Sequence, residues 1–238
     1  MNHVGRRLVA EFTGTGLLVA IVVGSGIAAT NLTADAALRL LINSLVTAMG
    51  LAVLILVFMP AGGAQFNPVV TGADWLLGRR TQHRYSIREA AAVIACQIGG
   101  AIAGAALADA MFRQPLLAPS HKHRAGAPLL LGEVVATAGL LLVIVTLART
   151  GRIQHASWAV GAWIGAAYWF TASTSFANPA VTIGRSLTST YAGIAPSSVL
   201  PFIGAQIIGG ILGTLLAVVI NPVRRSRAAG DTQTQLAG

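Results

Sequence analysis

The chain has 238 residues, 55% of them apolar, 10% charged and 27 of them glycine, with a mean hydropathy of +0.72. Soluble domains carry roughly 25% charged residues, so a water-facing surface here would expose large apolar patches, which excludes soluble globular and disordered classes. The single cysteine, Cys96, excludes an intrachain disulfide framework and a cysteine-built metal site, and the net charge of +9 contains one lysine and no dense basic run away from the ends of apolar segments, so it reads as membrane topology rather than nucleic-acid binding.

Six apolar stretches follow in order, 8–29, 37–59, 87–108, 129–148, 156–173 and 199–220. Each is long enough for a helix rising 1.5 Å per residue to cross roughly 30 Å of hydrocarbon. The first is too long for a cleavable leader, carries Glu11 and lacks a small-residue cleavage site. With the N-terminus inside, the inner side holds Arg6, Arg7, Arg79, Arg80, Arg84, Arg88, Arg149, Arg152, Arg224, Arg225 and Arg227. The outer side holds Arg39, Arg113, Lys122, Arg124 and Arg185, so the bias of 11 to 5 predicts both termini in the cytoplasm.

Two further stretches, 67–77 and 178–190, are apolar, open on Asn-Pro and reach only half a span. Asn is a favoured N-cap and Pro a favoured first helical residue, so each predicts a half-helix. Non-helical backbone at membrane depth is tolerated only where protein buries it or it lines a cavity, so two re-entrant half-helices imply a cavity.

The chain also repeats itself. Glu11 and its neighbours match the segment around Glu133 at an offset of 122. Residues 66–71 match 177–182 at an offset of 111, and Gln97-Ile98-Gly99-Gly100 matches Gln206-Ile207-Ile208-Gly209 at an offset of 109. Three spans per half require the second half to lie inverted, which brings the positive N-terminal ends of the two half-helices together near the midplane. The predicted fold is an all-α membrane protein with a first repeat over 1–115, a second over 116–228 and a polar tail over 229–238.

This pattern resembles the aquaporin, or major intrinsic protein, family over nearly the whole chain. The resemblance rests on the two Asn-Pro-Ala-type boxes (Asn67-Pro68-Val69 and Asn178-Pro179-Ala180), on the glutamates of spans one and four, and on Gly-Ala-Gln-Phe-Asn-Pro at 63–68. It implies a passive channel with one pore per subunit, a homotetramer in the lipid bilayer and no cofactor or metal. Each Asn would cap its own half-helix through its side-chain oxygen, leaving its NH2 to donate to a passing hydroxyl. Glu11 and Glu133 would hold the re-entrant loops; a proton relay is the other reading of an ionisable group inside a span.

One departure matters for substrate choice. The family usually has Arg after the second box, where this chain has Val181. Counting from Asn178 makes Ser175 and Ala166 the neighbouring filter positions, and the span-two position is Thr47 by ungapped counting or Met49 by a Gly-Leu alignment. These small and apolar residues predict a wide gate for glycerol-sized polyols or trivalent arsenic and antimony hydroxides, with some water; arginine-lacking bacterial relatives associated with arsenic handling point the same way. Arg185, one turn beyond Val181, is a possible vestibule charge, or a residue that snorkels to the headgroups. The alternatives are a water-selective aquaporin and an ion-coupled secondary transporter, whose inverted repeats look similar. The chain shows no nucleophile–base pair, so an enzyme is not expected, and a bacterial inner membrane is the expected location.

Of the remaining features, Asp74 and Asp109 read as solvated caps and Cys96 as a buried apolar residue. His121-Lys122-His123 reads as a polar loop, Trp158 as interfacial, Trp163 and Trp169 as lipid-facing or packing residues, and Asn221-Pro222 as a helix stop. Gly100 and Gly104, with Gly209 and Gly213, predict two close helix crossings.

Overall fold

The computed structural model describes residues 2–78 and 86–222. Arg79, Arg80, Arg84, Arg224, Arg225 and Arg227, which enter the charge count above, lie outside the described residues, as does the tail 229–238. Among the described residues the regular structure is helical: α1 (His3–Leu32), α2 (Ala36–Gly62), α3 (Pro68–Gly78), α4 (Ile87–Met111), α5 (Ala127–Arg149), a single 3-10 turn (Ile153–His155), α6 (Ala156–Phe170), α7 (Pro179–Arg185) and α8 (Pro196–Ile220). The starts are chemically marked. Asp35 and Ser86 accept from the backbone N–H three residues on, Asn178 accepts from Ala180 and Val181, and Pro opens α3, α7 and α8. Gly63, at φ 97°, ends α2 in the left-handed conformation that glycine adopts without strain.

α1, α2, α4, α5 and α8 are long and apolar enough to cross a membrane. The expected fifth span, 156–173, is shorter: α6 has 15 residues, about 22 Å of helix, and stops at Phe170. There Thr171 donates its hydroxyl back to Ala167 O, and Thr174 closes a turn onto Thr171 O. The second half-helix is also shorter than 178–190. It ends at Arg185 because Ser186 Oγ turns back onto Ile183 O while Ser186 O accepts from Ser120 N, tying the chain to the loop after α4.

The two halves are built alike. α1 packs on α4 and α5 on α8, and both crossings are glycine-mediated. A Cβ on Gly104 would overlap the Gly16 carbonyl, and one on Gly213 the equivalent Ala138 carbonyl, so the backbones touch. α2 meets α6 across the centre, with Gly161 against the Ala48 carbonyl.

Several smaller readings resolve here. Trp163 fills the space left by Gly139 and donates to Ala136 O, Trp169 donates to Ser44 Oγ, and Trp158 is exposed. Asn221 follows the last turn of α8, its carbonyl accepting from Arg149 Nε. Cys96 is half-buried rather than buried. Asp109 is not a solvated cap: it is fully buried in α4 and accepts the Thr188 hydroxyl at 2.8 Å, because the loop after α7 folds over it.

Candidate functional site

The loops that lead into α3 and α7 follow the same strained path. Gly63, Ala64 and Phe66 have positive φ, and so do Thr174, Ser175 and Ala177, each 111 residues later. Non-glycine residues at φ near +50° cost energy and persist only when surroundings over-determine them. A buried carboxylate does so in each half. Glu11 accepts from Gln65 N at 2.8 Å and Phe66 N at 2.7 Å; Glu133 accepts from Phe176 N and Ala177 N, both at 2.8 Å. Gln97 bridges Glu11 to Thr71, and Gln206 bridges Glu133 to Thr182. Every oxygen of the two carboxylates is thus occupied by loop and glutamine donors, the arrangement that loop support calls for. The two glutamines lay within the sequence repeat, yet their role was not legible without their partners.

The half-helices meet at their N-termini through a reciprocal pair. Asn67 Oδ1 caps α3 at Val69 N and its Nδ2 donates to Ala177 O at 2.8 Å; Asn178 Oδ1 caps α7 and its Nδ2 donates to Phe66 O at 2.7 Å. The expectation of a wholly free NH2 is therefore corrected. One hydrogen of each amide is spent on the opposite loop, because the two loops pack against each other, and one remains. Val69, in place of the usual Ala, sits under Gly210, where a Cβ would overlap it.

An elongated cavity of about 190 Å³ passes both asparagines, and most of its lining is paired across the repeat. Leu18 is the repeat equivalent of Leu140, Val22 of Ile144, Leu51 of Val160, Ile55 of Ile164 and Val70 of Val181, and all ten line the cavity. The walls are therefore apolar, with the Asn pair at the middle. Asp74 lines one mouth and Arg185 the other, on equivalent positions of α3 and α7.

At the Arg185 mouth the counted positions divide into those that line the cavity and those that do not. Thr47 is 2% exposed and lines the cavity, whereas Met49 is 54% exposed on the outer surface. Two residues along a helix turn it by about 200°, so only one of them can face inward. Ala166 also points outward; the cavity is lined by Tyr168, whose hydroxyl lies 3.3 Å from Thr47 Oγ1. The count back from Asn178 reached Ala166 rather than Tyr168 because the turn after α6 shifts the register, whereas the ungapped count in span two reached Thr47, which lines the cavity. The stripe Ala156, Val160, Ile164, Tyr168, at a spacing of four, was the signal that pointed to Tyr168. Ser175 and Val181 do line the cavity, and Ser175 Oγ is buried without a partner.

Arg185 does not snorkel. It is 2% exposed, its Nε donates to Ala192 O at 2.5 Å, and its guanidinium stacks 3.4 Å from the Phe176 ring centroid. Behind it stand Arg124, over the same ring at 5.0 Å, and Lys122, over Tyr191. Desolvation, then the neighbouring Arg124 and Arg185 charges, lower the Lys122 ammonium to about 8. Neither loop cation was legible as part of the site from sequence.

A family model described as major intrinsic protein matches residues 2–174. The chain is 47% identical over 220 residues to aquaglyceroporin AqpS of Rhizobium meliloti (strain 1021), covering 92% of each. It is 32% identical over 195 residues to aquaporin A of Dictyostelium discoideum, covering 76% of this chain and 67% of that one. Among solved structures, the aquaglyceroporin from Plasmodium falciparum superposes with a TM-score of 0.68 at 18% identity, over 92% of this chain and 98% of that one, a likeness of fold. The matched segment stops short of the second Asn-Pro box, but the reciprocal asparagines and the paired carboxylates tie that box to the first. The chain belongs to the major intrinsic protein family, and it is a multi-pass membrane protein and a passive channel for small neutral solutes.

Proposed function

We propose that the pore carries glycerol-sized polyols and the trivalent hydroxides of arsenic and antimony, with some water. The observation that carries this reading is the amphipathic Arg185 mouth. Thr47, the Tyr168 hydroxyl, Ser175 and Arg185 offer hydrogen-bonding groups, while Val181 and the Phe176 ring offer apolar wall. A polyol has hydroxyls along one edge and C–H along the other, so such a lining exchanges its hydration for protein contacts without stranding either face. A trivalent metalloid hydroxide presents three hydroxyls in a similar volume. Tyr168 makes this mouth narrower than Ala166 would, so selection by donor placement replaces selection by width alone.

The remaining roles fit this pore. Asn67 and Asn178, preceding Pro68 and Pro179, offer the midpoint donors, Val69 and Ala180 pack the half-helix ends, and Glu11 and Glu133 hold the loops. We read 1–115 and 116–228 as inverted repeats in a bacterial inner membrane, with both termini cytoplasmic and the Arg185 mouth outside, in a homotetramer with one pore per subunit. Water-only permeation is the second reading, favoured by the bulk of Tyr168 beside Arg185.

Stopped-flow light scattering on proteoliposomes tests the proposal with water, glycerol and trivalent arsenic as permeants. Fast solute entry with a low activation energy is expected; water flux without solute entry overturns the solute reading. Val181→Arg is expected to cut solute flux far more than water flux, and equal loss of both would remove Val181 from the gate.

A further inference from the structure

Three cations at the Arg185 mouth are held by three consecutive backbone carbonyls. Lys122 Nζ donates to Tyr191 O at 3.0 Å, Arg185 Nε to Ala192 O at 2.5 Å and Arg124 Nε to Gly193 O at 3.2 Å. Among the described residues none of the three has a carboxylate within 4.0 Å. Glu133 acts on both arginines only at longer range, and its oxygens are committed to Phe176 N, Ala177 N and Gln206. Carbonyl dipoles and one aromatic face compensate a buried guanidinium only in part, and an uncompensated buried charge is costly.

The geometry leaves an open receptor. Arg185 lines the cavity, and among the described residues its one hydrogen bond runs from Nε, so the planar Nη edge has no acceptor among them. Ser175 lines the same chamber, although its Oγ is itself buried. A fork of two parallel N–H groups matches two oxygens held in a plane.

We propose that this chamber binds a small monocarboxylate anion, seated on the Nη edge of Arg185, with Lys122 and Arg124 supplying long-range attraction. The anion does not traverse the pore, because Asp74 lines the opposite mouth. It acts from the Arg185 side as a blocker that competes with neutral solute. The proposal rests on the channel reading and goes beyond it by naming a ligand class that the pore captures without transporting.

The test uses formate, almost wholly ionised at pH 7.5, against sodium chloride at equal ionic strength. The readout is radiolabelled glycerol uptake into proteoliposomes holding the full chain, each variant normalised to its own anion-free uptake. Formate is expected to inhibit where chloride does not. Arg185→Gln is expected to raise the half-inhibitory concentration by about tenfold or more, as loss of a charge-assisted bidentate contact does. Lys122→Gln, on an exposed loop, is expected to raise it by about threefold, the scale of an exposed charge. Inhibition equal to that of chloride, or inhibition unchanged in Arg185→Gln, overturns the site. If wild-type protein takes up no glycerol without anion, the channel reading fails instead. The site is then decided in detergent by whether formate raises the unfolding temperature of wild type and not of Arg185→Gln; no rise overturns it.

Discussion

Replacing Glu133 with Gln keeps the side-chain volume and removes the charge, so it isolates what the carboxylate does for the re-entrant loop. Oε2 accepts from Ala177 N and Gln206 Nε2, and Oε1 from Phe176 N. An amide serves this set best with its oxygen at the Oε2 position, which turns its NH2 toward the Phe176 N–H. One hydrogen bond to a charged acceptor is lost, about 1.5–3 kcal/mol, and the two that remain fall from charged to neutral strength, about 0.5–1 kcal/mol each. The sum, roughly 2.5–5 kcal/mol, is a large fraction of the about 5–15 kcal/mol by which domains are stable. It falls on a loop whose Thr174, Ser175 and Ala177 sit in the left-handed region at about 1–3 kcal/mol apiece, so the loop has a ready way to relax and fill the pore. The expected outcome is a lowered unfolding temperature in detergent and loss of both water and solute flux, with Glu11→Gln behaving alike because its partners are equivalent. The assays are thermal unfolding and stopped-flow flux on the same preparations across pH 6–8. A Glu133→Gln protein with wild-type unfolding and flux refutes the support role. One that folds normally and loses only a pH dependence of transport reinstates the proton relay.

Gly104→Ala or Gly213→Ala forces a methyl onto the facing backbone carbonyl, so the crossing helices must separate; each is expected to cost about 1–3 kcal/mol, read as a fall in unfolding temperature, while Gly204→Ala, with open space around it, leaves the temperature unchanged. Thr47→Ala and Tyr168→Phe are expected to change the ratio of glycerol to water flux, whereas Met49→Ala and Ala166→Val, on the outer surface, leave it unchanged. Lys122 titrates at about 8 in the folded chain against 10.5 unfolded, so the unfolded state holds the proton more tightly in that window and stability rises with pH between the two values; Lys122→Gln is expected to flatten that rise in the unfolding temperature.

The fold was legible wherever a physical constraint acts locally or recurs. Asn-Pro marks a helix start in any context, a glutamate within an apolar span demands partners, and glycines at a spacing of four mark a crossing; all three appeared twice, so the repeat confirmed each. What stayed hidden depended on how the chain turns between elements. The stop of α6 at Phe170 and the turn onto Thr171 shift the register between that helix and Asn178, so counting back reached Ala166 rather than Tyr168. The end of α7 at Arg185 is tied down by the bond from Ser120 N to Ser186 O, sixty-six residues apart in sequence, and no local signal reports such a partner. Asp109 was misread for the same reason: its burial is made by Thr188, on a loop that sequence placed inside a helix.

The repeat also separates what builds the pore from what tunes it. Residues that hold backbone in place are the same in both halves: Glu11 and Glu133, Gln97 and Gln206, Asn67 and Asn178, Thr71 and Thr182. Even Val181, where the resemblance leads one to expect arginine, restores symmetry, since its partner is Val70, and both line the cavity. Symmetry breaks at the mouths. One turn beyond the valines, α3 presents Asp74 and α7 presents Arg185, and Thr47 faces the Arg185 mouth where its counterpart at the other end is Ala156. Opposite charges at the two ends of an apolar-walled cavity would oppose complete passage of ions of both signs, a cation at Arg185 and an anion at Asp74, because apolar walls screen either charge weakly. A neutral solute with a dipole meets no such barrier and reorients between the ends. If this is how the chain excludes ions without an arginine at position 181, then Arg185→Gln is expected to admit small cations such as ammonium and Asp74→Asn to admit small anions, each measured as a current across planar bilayers at matched osmolarity. Unchanged ion exclusion in both variants would assign it to the asparagine pair and the half-helix ends alone.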